Sequence, residues 1–354
     1  MKRYYTTLLL LLMTWNFLQA QKKTQFRDFI LDHDQLWALT IKGRLAVYDL
    51  KHIEAPPVAI PYDDSIVVLT KDEQSAIVVC DSSGYIRKYD REHGSWQEMD
   101  SYKEKLYSIV FDRMDHYYLV TPKGIIDGVT RKVYFPERYT NPVAWYKFGW
   151  EWHAPVCCMD PNDDLWLGFR YGEWGGDIFI FNTRTKKFLA PRLKKLTMSL
   201  NPVQSICSGA GKIYVTTGMN HLGMTEGRIA VFDRLKATVI FNGDPDTARY
   251  PHRNDWTLEG EFIGPAAFND VNHCLYFYSQ HGIFKGDVSG DLSNLDKWEK
   301  VASPKLLWSS GQPDAVGAPM NVLKMAFSDD MRLIFLSQLN GIGVVNGDSI
   351  AFLP

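Results

Sequence analysis

The sequence lacks an excess of charge of either sign. Its 354 residues include 39 lysines and arginines against 41 aspartates and glutamates, for a formal net charge of −2. No overall positive charge is available to attract phosphates, so we expect no nucleic-acid partner. The chain is also 45% hydrophobic. That excludes intrinsic disorder, which requires low hydrophobicity together with high net charge.

Cysteine is scarce as well. There are five cysteines and no Cys-x-x-Cys pair, so no cysteine zinc site is expected. Most of them lie in apolar, strand-like runs, which favours buried free thiols over disulfides, the alternative that an oxidising compartment allows. A Gly-x-Ser-x-Gly elbow, a His-Glu-x-x-His motif and a P-loop are also missing. We therefore expect no cofactor and no metal site.

One long hydrophobic run is present, at the N-terminus. Two basic residues precede the leucine run at 8–12, and the small residue Ala20 suits a signal-peptidase site. This pattern predicts a signal peptide over residues 1–20 and an exported protein, periplasmic or extracellular, with no membrane span after cleavage. A retained membrane anchor is the competing interpretation. Cleavage would leave one domain over 21–354, with 334 residues and a net charge of −4.

A short apolar run recurs along the rest of the chain. Each copy has five residues rich in β-branched and aromatic side chains, which is too short for a helix and favours a buried strand. The copies are Leu36–Thr40, Ala76–Cys80, Tyr117–Thr121, Leu165–Phe169, Ile213–Thr217, Leu275–Ser279 and Leu333–Ser337.

The flanks of these runs repeat too. A polar turn precedes each run, and another apolar strand precedes most of the turns. A glycine-containing connection then leads to a third strand and a more polar fourth one. Seven units of four antiparallel strands, at about 48 residues each, predict an all-β fold, a seven-bladed β-propeller. Stacked β-sandwiches, the alternative, do not repeat at this period. Seven complete units would close the ring by blade packing alone, although a strand shared between the two ends is the other possibility.

The stretch Asp-Leu-Trp-Leu-Gly at 164–168 is similar to a strand of two-component-regulator propellers, and Leu36-Trp37 repeats part of it. The chain as a whole resembles the divergent secreted propellers with WD40-like repeats. Trp-Asp blade endings and the Asp-box of sialidases are missing, and a kelch-type glycine doublet occurs only at 175–176. The resemblance implies the architecture over about residues 26–354 and no particular activity.

Propeller topology places two kinds of connection on one rim: those between the second and third strands of a blade, and those between successive blades. The long insertions fall in these connections, mostly in blades 4 to 7. Long loops on a rigid scaffold are favoured places for function. The insertions span residues 139–153, 170–176, 218–227, 244–260 and 303–319.

Tryptophan, arginine, histidine and acidic residues are concentrated in these insertions. This mixture suits a glycan or another polar ligand, because tryptophan stacks on the C–H face of a sugar while polar groups bond its hydroxyls. The same residue types form hot spots for a protein partner, and a third interpretation is that they only pack the loops onto the blades. The candidate ligand-binding residues are Trp145, Trp150, Trp152, His153, Arg170, Glu173, Trp174, His221, His252, Arg253, Asp255, Trp256 and Trp308.

An enzyme acting on polysaccharides is the alternative hypothesis for the same rim. A lyase needs a base and a cation that neutralises a uronate carboxylate, whereas a hydrolase needs two facing carboxylates. No spacing motif selects among the candidates. For a lyase they are His153, His221, His252, Tyr171, Tyr250, Arg170 and Arg253. For a hydrolase they are Glu151, Glu173, Asp255 and Glu259.

The acidic cluster Asp160-Pro-Asn-Asp-Asp164 has two interpretations. Its carboxylates suit calcium. Its place in the repeat is that of a short hairpin turn, where aspartate and asparagine bond the local backbone. We expect turn chemistry here.

Overall fold

The computed structural model describes residues 24–136, 154–221, 224–244, 260–307, 321–347 and 349–354. In these residues the chain forms seven four-stranded antiparallel sheets, each made of four consecutive strands. The protein is a seven-bladed β-propeller, as the repeat predicts. The signal peptide predicted over 1–20 lies outside the described residues.

Blades 1 to 4 take up the first 16 strands. Blade 1 contains β1 (Phe26–Asp32), β2 (Gln35–Thr40), β3 (Leu45–Asp49) and β4 (Val58–Ile60). Blade 2 contains β5 (Ile66–Lys71), β6 (Ile77–Asp81), β7 (Tyr85–Asp90) and β8 (Ser95–Ser101). Blade 3 contains β9 (Ser108–Phe111), β10 (Tyr117–Thr121), β11 (Gly124–Asp127) and β12 (Val133–Tyr134). Blade 4 contains β13 (Val156–Met159), β14 (Asp164–Arg170), β15 (Gly176–Asn182) and β16 (Lys187–Leu189).

Blades 5 to 7 complete the ring, and blade 5 has the longest strands described. Blade 5 contains β17 (Val203–Gly209), β18 (Lys212–His221), β19 (Met224–Asp233) and β20 (Lys236–Asn242). Blade 6 contains β21 (Ile263–Asn269), β22 (Cys274–Ser279), β23 (Gly282–Asp287) and β24 (Glu299–Ala302). Blade 7 contains β25 (Val322–Phe327), β26 (Leu333–Ser337), β27 (Gly341–Asn346) and β28 (Ser349–Phe352).

The recurring apolar run is the second strand of every blade. β10 and β26 have the predicted bounds. The ends of the other five differ from prediction by at most one residue, except that β18 continues four residues further, to His221. The strands are buried on both faces because a neighbouring blade covers each one. In β10, for example, Leu119 packs towards blade 2, whereas Tyr118 and Val120 pack towards blade 4.

The core consists of apolar clusters between adjacent blades. Seven clusters occur, and each draws on two neighbouring sheets. The cluster between blades 7 and 1 contains Phe29 and Leu36 from blade 1 with Leu336 and Ile342 from blade 7. Blades 1 and 7 are separate four-stranded sheets. The ring therefore closes by side-chain packing without a shared strand, the first of the two predicted possibilities.

In blades 2 to 4 an aspartate caps the turn between the first and second strands. Asp160 Oδ1 accepts the backbone N–H groups of Asn162 at 2.7 Å and Asp164 at 3.0 Å. Its Oδ2 accepts Trp166 Nε1 at 3.1 Å. The hydrogen bonds of Asp160 therefore agree with the turn interpretation of this acidic cluster.

All five cysteines lie in the described residues and are free thiols. Burial raises the pKa of Cys80, Cys157 and Cys158 to about 12. A thiol with a raised pKa stays protonated and unreactive at neutral pH. The cysteines thus act as small apolar side chains in the strands, as their surroundings in the sequence predict.

Candidate functional site

The antiparallel ladders place the second-to-third connections and the blade-to-blade connections on one face of the ring, which we call the loop rim. The turns between first and second strands and between third and fourth strands form the opposite face, the turn rim. Of the predicted site residues, Arg170, Glu173 and Trp174 lie on the described loop rim, and the backbone of His221 ends β18 there. Those outside the described residues are Trp145, Trp150, Trp152, His153, His252, Arg253, Asp255, Trp256 and Trp308.

In five blades the second strand ends in a polar side chain that caps the following turn. Thr121 Oγ1 donates to Gly124 O at 2.9 Å, and Ser337 Oγ donates to Gly341 O at 3.0 Å. The five capping residues are Thr40, Asp81, Thr121, Ser279 and Ser337. Blades 4 and 5 differ from this repeat. In blade 4 the position is Phe169, which packs in the apolar core, and in blade 5 the ladder continues past this position to the pair His221–Met224.

The long second-to-third connection of blade 4 folds onto blade 5. It contains a single 3₁₀ turn at Gly172–Trp174, preceded by the buried Tyr171. The Trp174 side chain is 50% exposed. Gly175 has a φ of +90°, and a Cβ atom there would lie 2.1 Å from the carbonyl oxygen of Met198. Glycine thus permits the contact that fixes this connection, and Trp174 with it, against the segment that leads from blade 4 to blade 5.

Arg170 lies under this connection without a compensating charge among its described contacts. Its side chain extends from β14 towards blade 5, where Nη1 donates to Gln204 Oε1 at 3.5 Å. Nε is buried and has no hydrogen-bond partner within the described parts of the chain. Burial lowers the pKa of the Arg170 guanidinium. A buried cation of this kind is costly unless an anion accompanies it.

A second buried guanidinium lies in blade 5. Arg228 is 9% exposed, and its Nη2 donates to both carboxylate oxygens of Asp244 at 2.8 and 2.7 Å. Its Nη1 has no hydrogen-bond partner in the part of the chain that the structure describes. Burial raises the pKa of the nearby Glu226, and the charge of Asp244 adds to this effect. Two adjoining blades therefore each place an incompletely satisfied arginine near the loop rim.

The insertion predicted at 218–227 is an extension of both strands. The ladder between β18 and β19 continues from the pair Gly218–Gly227 to the pair His221–Met224. The resulting β-ribbon rises from blade 5 beside the 3₁₀ turn of blade 4, which contacts β18. The description of this segment as a long loop is therefore wrong, although its position on the loop rim is confirmed. A ladder holds the ribbon more rigidly than a free loop.

The candidate set did not include a carboxylate–histidine pair in blade 6. Glu261 is 1% exposed. It accepts a hydrogen bond from the Ser279 hydroxyl and another from His281 Nδ1 at 2.9 Å, while the His281 side chain is 43% exposed. Ser279 is the capping hydroxyl of its blade, and here it donates to Glu261 instead of across its own turn. The Glu261–His281 pair is recognised from these contacts in the structure, since no sequence motif marks it.

The chain matches no known protein family and no curated protein in sequence. Its fold is similar to that of several solved structures. One is hydrazine synthase of Kuenenia stuttgartiensis, with a TM-score of 0.59 at 11% identity, covering 92% of this chain and 96% of that one. Another is a streptogramin B lyase, with a TM-score of 0.52 at 11% identity, covering 92% and 95%.

A third similar structure is the extracellular domain of a hybrid two-component system from B. thetaiotaomicron. Its TM-score is 0.55 at 12% identity, and the match covers 92% of this chain but 38% of that one. At these identities the similarities show the seven-bladed fold alone, because one propeller fold serves many unrelated functions. The described residues contain no helix long and apolar enough to cross a membrane.

Proposed function

We propose that this chain is an exported propeller that binds a glycan carrying an acidic group, through the loop rim of blades 4 to 7. The observation that supports the proposal most is Arg170, whose buried Nε lacks a partner among the described residues, on the rim that also exposes Trp174. The proposed site also includes Glu173, His221, Trp145, Trp150, Trp152, His153, His252, Arg253, Asp255, Trp256 and Trp308.

The chemistry of the Arg170 and Trp174 side chains explains why we propose an acidic glycan as the ligand. An exposed tryptophan offers an apolar face for the C–H face of a sugar ring. A carboxylate, as in a uronate, would accept from Arg170 Nε and supply the missing counter-charge. Because the chain as a whole is slightly acidic, such a ligand would be attracted by these local cations and not by the global field.

Replacing Arg170 tests the proposal. Arg170→Met removes the charge and keeps an unbranched chain of similar length. We expect affinity for polygalacturonate, measured by isothermal titration calorimetry, to fall at least about tenfold. The free energy of unfolding should hold or rise, because the variant removes a buried charge that has no counter-charge among its described contacts.

Arg184→Gln is the matched control. Arg184 lies on the turn rim, where its side chain is 62% exposed, so binding should be unchanged. Equal affinity of Arg170→Met and the unmodified protein for polygalacturonate would contradict the site. Failure of a broad glycan panel, with capture of a protein at the same rim, would favour the protein-interaction scaffold.

The Glu261–His281 pair supports the enzyme alternative. A buried carboxylate that accepts Nδ1–H fixes the imidazole orientation and makes Nε2 the basic nitrogen of the neutral ring. A polysaccharide lyase would use such a base to remove a proton next to a uronate carboxylate. Unsaturated product absorbing in the ultraviolet, formed by the unmodified protein and lost in His281→Ala, would favour the lyase over a binding protein.

A further inference from the structure

The turn rim has a cleft of about 380 Å³ between blades 1 and 2. This volume lies in the range of about 300–1,000 Å³ that is typical of small-molecule sites. Asp32 and His33 of blade 1 line it, together with Ser75, Tyr89 and Arg91 of blade 2. The cleft is on the opposite face from the proposed glycan site and shares no residue with it.

Blades 3 and 4 show what an aspartate at the end of the first strand ordinarily does. Asp112 Oδ1 accepts two backbone N–H groups of its own turn, and its Oδ2 accepts the hydroxyl of Tyr118 at 3.3 Å. Asp160 bonds its own turn and Trp166 in the same manner. Both carboxylates are therefore fully occupied by their own blade.

Blade 1 has the same two residue types at the matching positions but lacks these bonds. Trp37 pairs with Ile30 in the ladder, as Trp166 pairs with Cys158. The hairpin of blade 1 is tighter, because Asp32 pairs directly with Gln35 across a two-residue turn. The turn therefore leaves no N–H groups for the carboxylate to cap.

The Asp32 carboxylate turns to blade 2 instead. Its Oδ2 accepts Arg91 Nη2, which also donates to Ser75 O at 3.2 Å. Asp32 is 1% exposed, and its Oδ1 has no hydrogen-bond partner in the described chain; the same holds for Trp37 Nε1. An unsatisfied buried carboxylate oxygen is destabilising, and a donor in the cleft would satisfy it.

We propose that this cleft binds a small neutral polyol, one hydroxyl of which donates to Asp32 Oδ1. A hydroxyl fits better than a cation because Arg91 already supplies the positive charge next to Asp32. A hydroxyl can also accept from the Arg91 guanidinium while it donates to the carboxylate. The described residues contain no group of three metal-ligating side chains, and the Tyr89 ring offers an apolar wall for the carbon skeleton.

Titration of isotope-labelled protein with myo-inositol, sorbitol and glucose, followed by NMR, tests the proposal. Thermal shift is unsuitable, because polyols stabilise proteins by exclusion from the surface without any site. We expect saturable shifts confined to residues near Asp32, Tyr89 and Arg91 for at least one probe. Asp32→Leu should weaken binding at least tenfold.

Two further variants make the test independent of whether the Asp32→Leu variant folds. Ala76 lines the cleft, and Ala76→Leu narrows it while keeping the carboxylate, so binding should again fall at least tenfold. Asp112→Asn is the matched control in blade 3 and should bind as the unmodified protein does. Absence of localised saturable shifts with all three probes would overturn the proposal. So would unchanged binding in Ala76→Leu, or a crystal structure in which Asp32 accepts directly from Trp37.

Discussion

Asp163 lies between two arginines on the turn rim. Arg113 of blade 3 donates to it from Nε at 3.0 Å, and Arg184 donates from Nε at 3.0 Å. These bonds, above all the one from Arg113, lower the pKa of Asp163 from its ordinary value of 3.8 to about 2. Hydrogen bonds to the charged form of a carboxylate have this sign, because protonation would break them.

The first prediction concerns the pH dependence of stability. A carboxylate whose pKa is lower in the folded than in the unfolded state stabilises the folded protein. This stabilisation is complete above the unfolded-state pKa and is lost as the pH falls through the folded-state pKa. For Asp163 this window runs from about pH 4 down to about pH 2. Asp163→Asn should cost about 2 kcal/mol at pH 7 and little at pH 2, measured by urea unfolding.

The control for Asp163 is Asp329→Asn, since Asp329 is 71% exposed and its ion-pair partner among the described residues is the exposed His33. It should change the free energy of unfolding by less than about 1 kcal/mol. A loss at pH 7 for Asp163→Asn no larger than this would contradict the role of the carboxylate.

The positions of some candidate site residues on the ring were predictable from the sequence. Arg170 and Trp174 were predicted on the loop rim because the repeat locates the connections, and the structure puts them there. The burial of these side chains and their hydrogen-bond partners were not predictable from the sequence, because both depend on how neighbouring blades pack. Glu261 bonds His281, which lies 20 residues further along the chain. Asp32 does not cap its own turn, because the hairpin of blade 1 has a two-residue turn.

At the scale of elements, glycine determines how the blade 4 connection meets blade 5. Gly175 and Gly211 both have positive φ values, +90° and +72°. A Cβ atom at Gly175 would clash with Met198 O, whereas a Cβ atom at Gly211 would meet nothing within 4 Å. At Gly175, where ψ is −139°, a side chain would therefore add a clash with Met198 O to backbone strain, whereas at Gly211 it would meet strain alone.

The second prediction uses this matched pair. Gly211→Ala should cost about 1 kcal/mol, the strain of alanine at a positive φ. Gly175→Ala should cost about 2–4 kcal/mol, because the connection must also move away from Met198. Urea unfolding measures both, and equal losses would show that the connection does not press on the segment around Met198.

Strand patterns were predictable from sequence where a strand is buried on both faces. The second strands have dense apolar runs for this reason, and all seven were located. The blade 5 ribbon was not recognised, because glycines at 218 and 227 interrupt its pattern and backbone pairing extends beyond the apolar run. The ladder consists of backbone hydrogen bonds between β18 and β19, and the sequence of either strand alone does not reveal such pairing.

At the scale of the whole molecule, the contact between blades 7 and 1 closes the ring. Besides the apolar cluster, the Tyr48 hydroxyl donates to Pro354 O at 2.9 Å, and Lys324 Nζ lies 2.8 Å from Asp28 Oδ1. Like the other six interfaces between adjacent blades, this one has an apolar cluster packed between two sheets. The period of the repeat left closure by packing and closure by a shared strand both open, and the structure shows the first.

The third prediction compares the closing interface with an internal one. Leu336, between blades 7 and 1, is 1% exposed, and Leu167, between blades 3 and 4, is 0% exposed. Leu336→Ala and Leu167→Ala should each cost about 2–5 kcal/mol in urea unfolding. A cost below about 1 kcal/mol for Leu336→Ala alone would show that the closing interface is open in solution.

The most direct measurement of the proposed function is a crystal structure of the protein with an acidic oligosaccharide, such as a short oligogalacturonate. We predict a uronate carboxylate oxygen about 3 Å from Arg170 Nε and a sugar ring stacked on Trp174. An oligosaccharide bound elsewhere on the ring, or an Arg170 Nε that pairs with the protein's own carboxylate while the ligand stays unbound, would contradict the account.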